Sequence, residues 1–176
     1  LKKMNHIKLR KNNLCVENLS AIKLAKKYKT PFYCYSLGQL KDNYQAIKNT
    51  FKKVNPLICF AVKSNSNLTL IKELKKMGSG ADVVSIGELL KVIKAGINSK
   101  KIVFSGVGKT EEEILMAIRK KVLLINAESE SEVNLINKIA KKNSKKIAIG
   151  IRLNPNVTGK THTKISTGGK NEKFGL

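Results

Sequence analysis

From Leu57 onward the chain alternates short apolar runs with amphipathic stretches of helical spacing, one pair about every 22 residues, and few folds accept that rhythm. The apolar runs fall at residues 57–63, 81–84, 101–104, 122–125 and 146–153, and the helical stretches at 68–77, 87–95, 111–120 and 131–142. Gly78 and Gly96 stand where helices stop, and Thr110 with Glu113 forms a capping box that opens the third of them. The period is close to that of leucine-rich repeats, but the units share no consensus and each carries a full helix. Short apolar strands joined by helices are parallel βα units, which build either an open doubly wound sheet or part of a (β/α)8 barrel. A whole barrel takes about 250 residues. On the barrel reading the 176 residues hold five of its eight strands at most, and the sequence is a piece of a longer one.

Ahead of residue 57 the pattern is less regular. Leu19, Ile22, Ala25 and Tyr28 lie at helical spacing and predict an amphipathic helix within residues 14–29. Thr30-Pro31 stops it, since the residue before proline avoids the helical region. Phe32-Tyr33-Cys34-Tyr35 has strand composition. Ser36 and Gln39 then match a capping box, and Leu40, Tyr44, Ile47 and Phe51 predict the buried stripe of the helix that follows.

Composition removes several classes of function. A hydrophobic content of 41% is enough for a core, and no run of about 18 apolar residues offers a membrane span. Residues 1–13 are basic but have neither an apolar stretch nor a cleavage site, so they are not read as a signal peptide. The sequence does not begin with Met, which points to a start further upstream. Cys15, Cys34 and Cys59 have neither disulfide density nor metal-ligand spacing, which favours a reducing, cytoplasmic setting. The net charge of +23 invites a polyanion-binding reading. Against it, the only arginines among 35 basic residues are Arg10, Arg119 and Arg152, and aromatics make up 5% with no basic interleaving. Abundant Lys, Asn and Ile together fit AT-rich coding, so no specific nucleic-acid partner is expected.

Three residues stand where chemistry could lie. Lys63 closes the first apolar run, at the strand end where α/β folds place ligands, and a partly desolvated lysine there can act as a Schiff-base amine. In so lysine-rich a chain nearly any strand can end beside a lysine, and position alone favours that plainer reading. Asp82 is an acid inside the second run, either salt-bridged for structure or functional. Arg152, at the end of the fifth run, suits a bidentate task or a structural pairing. Gly106-Val107-Gly108-Lys109-Thr110 looks like the end of a phosphate loop, but Val103 stands where the motif needs its first glycine. Glu111, Glu112 and Glu113 behind it would repel a phosphate. His6 and His162 are isolated and suggest no metal site.

The blocks Pro31–Tyr35, Phe60–Asn65, Gly80–Ser85, Phe104–Thr110, Ile125–Ser129, Arg152–Val157 and Lys160–Gly168, followed by Lys173-Phe174-Gly175, occur in the order found in one family. From about Tyr28 to its last residue the chain resembles the fold type III pyridoxal-phosphate-dependent decarboxylases, most closely the branch that converts meso-2,6-diaminopimelate to L-lysine and CO2. Lys29 departs from the family's usual glycine and Ile86 from another, and neither touches the lysine site.

The resemblance implies an α/β fold of alanine racemase type. Residues 1–36 would form an N-terminal segment, a helix plus a strand associating with the family's β-domain. Residues 37–176 would form the first part of the (β/α)8 barrel that binds pyridoxal 5'-phosphate. It also implies that Lys63 forms the internal aldimine, that Asp82 and Arg152 lie near the cofactor, and that Thr161, His162 and Ser166 belong to a mobile active-site loop. An amino-acid substrate, a homodimer at full length and a cytoplasmic location follow as expectations, with no metal and no membrane. The family's stacking histidine, glycine-rich phosphate loop and substrate-binding residues would come after Leu176, so the 176 residues alone are expected to be inactive. Decarboxylases of ornithine, arginine or carboxynorspermidine, a non-catalytic remnant and a basic polyanion-binding module are the alternatives.

Overall fold

The computed structural model of the chain describes residues 6–157, 168–169 and 175–176. It divides into two compact units, Leu1–Pro56 and Leu57–Leu176. In the first, strands β1 (Ile7–Arg10), β2 (Asn13–Val16) and β3 (Leu19–Ser20) form an antiparallel sheet in that order. Helices α1 (Ala21–Tyr28) and α2 (Leu37–Thr50) follow.

The helix expected within residues 14–29 is therefore half its predicted length, because its first part is sheet. The cause is a two-residue hairpin. Lys11 and Asn12 both take positive φ, 46° and 60°, between the paired residues Arg10 and Asn13. Consecutive left-handed residues are what a primed turn requires, and its twist suits the strands on either side. Residues 32–35 join no sheet among the described residues, and Tyr33 and Tyr35 stack with their ring centroids 6.2 Å apart. Ser36 does cap α2, accepting from the Gln39 N–H at 3.0 Å. Of its expected stripe only Tyr44 is buried, with Ile47 and Phe51 exposed.

The second unit follows the alternation closely. Strands β4 (Cys59–Ala61), β5 (Gly80–Val83), β6 (Ile102–Phe104), β7 (Leu124–Ala127) and β8 (Ile149–Ile151) are all parallel and lie side by side in chain order. Between them run α3 (Leu68–Lys76), α4 (Ile86–Lys94), α5 (Glu111–Lys120) and α6 (Glu130–Lys142). Strict sequential order decides between the two architectures left open above. A doubly wound sheet reverses direction at a switch point, whereas a barrel adds each strand to the same side. The unit is a run of barrel staves.

The helices cover one face of this sheet. Ala81 and Val83, Ile102 and Phe104, and Ile125 and Ala127 alternate along the three central strands and are completely buried with Leu89, Val92 and Ile114. The other face carries Asp82, Val103, Leu124 and Asn126, all only half-buried. An apolar run like the first one reads as a strand buried on both faces, but β4 is an edge strand and its residues are half-buried. All four helices stop in the same way. The residue after a left-handed Gly78, Gly96, Lys121 or Ser144 donates back to Leu74, Val92, Ala117 or Ala140, closing each last turn. Among the described residues no helix is long and apolar enough to cross a membrane.

Candidate active site

The carboxyl ends of the five parallel strands open onto one cleft of about 580 Å³, a size ordinary for a small-molecule site. Lys63 lines it from the single 3-10 turn that follows β4, Asp82 from within β5, and Arg152 from one residue past β8. The three residues singled out in the sequence thus meet in one place. Lys63 is exposed, not partly desolvated as expected, because β4 has a ladder neighbour on one side only. Among the described residues its ammonium has no hydrogen-bond or ion-pair partner. Thr161, His162 and Ser166 lie outside the described residues.

Sequence reasoning does not single out Ser105, Asn126 and Glu128, yet all three line the cleft. Their signal was available: each is a polar residue at or just past the end of an apolar strand. Ser105 Oγ donates to Asp82 Oδ1 at 2.5 Å and accepts from Asn126 Nδ2 at 2.9 Å, a polar row across β5, β6 and β7. Asp82 therefore has no basic partner in the row; a charge-assisted hydrogen bond eases its burial instead. Opposite Asn126 in the ladder is Gly150, where a Cβ would come within 2.3 Å of Asn126 Oδ1. Only glycine leaves that amide its place. Cys59, at the head of β4, is no nucleophile: burial pushes its thiol pKa up and the Asp82 carboxylate adds to the rise.

Arg152 carries an ion pair. Ala127 and Ile151 are ladder partners, so Glu128 and Arg152 leave the sheet together, and Arg152 Nη1 donates to Glu128 Oε1 at 3.1 Å. Glu128 is almost wholly buried, and its Oε2 has no partner among the described residues. An orphaned carboxylate oxygen beside a guanidinium leaves the cleft one strong acceptor for a donor brought by a ligand. The loops beneath are tied by the first turns of the helices. Glu88 Oε2 accepts from the Val84 N–H, Glu132 Oε2 from the Glu128 N–H, and Glu113 from the N–H groups of Thr110 and Ile86. The residue pair Ser/Thr-x-x-Glu that does this is visible at Ser85, Thr110 and Ser129. Lys109, the lysine of the failed phosphate-loop motif, is buried against Glu132 at 3.0 Å and cannot greet a phosphate.

A lysine, an arginine and two acids at the carboxyl ends of sequential parallel strands define a barrel site of the kind that holds an organic cofactor. The chain belongs to the pyridoxal-dependent decarboxylases: residues 37–176 match the family's pyridoxal binding domain. Among its relatives is a diaminopimelate decarboxylase from Helicobacter pylori, 48% identical over 153 residues that cover 87% of this chain and 38% of that protein. A solved diaminopimelate decarboxylase from M. jannaschii in complex with L-lysine superposes with a TM-score of 0.88 at 41% identity, covering 98% of this chain and 41% of that one. An ornithine decarboxylase from Entamoeba histolytica superposes less well, with a TM-score of 0.65 at 26% identity over 76% of this chain and 41% of that one. The chain spans about two-fifths of the length of the curated relatives it matches.

Proposed function

We propose that this chain supplies the first part, residues 37–176, of a pyridoxal 5'-phosphate-dependent barrel that removes one carboxylate from meso-2,6-diaminopimelate, giving L-lysine and CO2. The observation that carries the reading is the meeting of Lys63, Asp82 and Arg152 in a single cleft on the carboxyl side of the sheet. The residues fit the cofactor. Lys63 offers an unengaged primary amine to its aldehyde carbon, and Arg152 offers a cation to its phenolic oxygen. The cleft is large enough for a pyridine ring with a phosphate arm. When bound, pyridoxal phosphate supplies an electron sink for the charge left at the α-carbon as CO2 departs. This chain's task is then to bind, orient and shield.

Asp82, fixed by Ser105, and Glu128, fixed by Arg152, place two acceptors around the cofactor without adding unpaired flexible charge. Thr161, His162 and Ser166 belong, on this reading, to a loop that limits water access. Residues 1–36 would associate with a β-domain, and two copies of the full-length protein would form a homodimer in the cytoplasm. The three free cysteines support that compartment, and the family resemblance supports the dimer. Diaminopimelate is favoured over ornithine by the higher identity and TM-score of the relatives named for it.

The test joins residues 1–176 to the remaining part of the H. pylori relative in a chimera. Given pyridoxal phosphate and meso-2,6-diaminopimelate, it is expected to form L-lysine and CO2 in equal amounts, and the Lys63→Ala form to produce neither. A folded chimera that acts on ornithine or arginine in preference, or one in which Lys63→Ala retains activity, would sink the proposal.

A further inference from the structure

Lys109 is left without a task by the reading above, yet it is among the most deeply placed charges in the unit. Its side chain is 2% exposed and that of its partner Glu132 is 8% exposed. A buried ammonium is tolerated only when its donors are met. The three donors of Lys109 have three acceptors: the Gly106 carbonyl at 2.6 Å, the Asn126 carbonyl at 2.6 Å and Glu132 Oε1 at 3.0 Å. Each acceptor belongs to a different element: the loop after β6, the strand β7 and the helix α6.

All three ties lead to the cleft, which Gly106 itself lines. Asn126 sends its side chain into the row with Ser105 and Asp82. Glu132 spends its second oxygen on the Glu128 N–H at 2.7 Å, and Glu128 in turn accepts from Arg152. A methionine–glutamine pair would fill similar space, and buried ion pairs are often replaced by neutral ones with no loss of stability. Stability alone therefore does not account for a charged pair here.

We propose that Lys109 is a positioning residue: with Glu132 it fixes Glu128, and through Glu128 the orientation of the Arg152 guanidinium in the cleft. The proposal rests on the reading of Arg152 as a cofactor-facing residue, but its test needs no cofactor. The chain has only three arginines, Arg10, Arg119 and Arg152, so phenylglyoxal labelling followed by peptide mass analysis reports on each separately. The variant is Lys109→Met with Glu132→Gln, which leaves no uncompensated buried charge; its thermal midpoint is read first.

Arg152 is expected to react several-fold faster than in the parent chain, with Arg10 and Arg119 unchanged. Glu128→Gln should produce the same acceleration, and adding it to the double variant should produce no more, since all three changes act through one path. A double variant that melts cooperatively but labels Arg152 at the parent rate overturns the inference. If the double variant does not fold, Glu128→Gln alone decides: it keeps the Lys109–Glu132 pair and weakens the last link of the path, so unchanged Arg152 labelling there is equally fatal. Failure of pyridoxal phosphate to attach at Lys63 would count against the functional reading instead, and leaves the arginine result to be judged by itself.

Discussion

Gly150 and Asn126 show how one missing side chain holds a cleft in shape. The Asn126 amide lies where a Cβ on Gly150 would have to be, and from there it donates to Ser105, which in turn holds Asp82. Gly150→Ala is expected to destabilise the unit by about 1–3 kcal/mol, the usual range for an added carbon in a full site. Combined with Asn126→Ala, which removes the clashing oxygen, the same change should cost much less. Denaturant unfolding of the two single variants and the double one checks this; a cost that is unaffected by residue 126 would mean that the strain lies elsewhere. At this scale the sequence was partly legible. Lys63, Asp82 and Arg152 stand out by type and place, but Ser105, Asn126 and Glu128 acquire meaning only through their partners across the sheet. Register is not written in any one strand.

Helix starts and stops were the most legible elements, because their signals are local. Glu111–Lys120 forms as the spacing predicts, opened by a complete Thr110–Glu113 capping box. Strand β7, by contrast, begins two residues later than its apolar run, since Val122 still serves α5 by donating back to the Ala117 carbonyl. Lys121 takes the left-handed conformation there that glycine takes at Gly78 and Gly96, so no glycine marks the stop. The three-stranded sheet in the first unit was missed because a Lys-Asn hairpin lacks the Asn-Gly signature, and helical spacing of Leu19 to Tyr28 overlaid it.

Glu113 links α5 to α4 by accepting from the Thr110 and Ile86 N–H groups. Partial burial raises its pKa, but those hydrogen bonds and the nearby Lys109 outweigh it and hold the carboxyl below the usual glutamate range. A lowered folded value means that the ionised form stabilises the fold. Its contribution is complete above the usual glutamate range and is lost as the pH falls through the depressed value. Melting of the parent chain and of Glu113→Gln should therefore differ most near neutrality and converge in acid. A gap that is constant with pH would contradict the assignment.

At the scale of the whole molecule, order carries the argument. Strands that follow one another around a sheet put every strand end on the same rim, and every residue placed in the cleft comes from that rim. The alternation of apolar runs and helices made the class of fold legible from sequence, because βα periodicity is a property of the chain itself. Sequential order was not legible, since both architectures give the same alternation; it required the ladder. Of the basic residues behind the +23 charge, those that line the cleft among the described residues are Lys63 and Arg152.

The central claim is that Lys63 is the amine that holds the cofactor. Borohydride reduction of the chimera in pyridoxal phosphate, followed by peptide mapping, tests it directly. A phosphopyridoxyl group is expected on Lys63 at close to one per chain, absent from the Lys63→Arg form. Label on a different lysine, or label spread over many lysines and unchanged by Lys63→Arg, would contradict it.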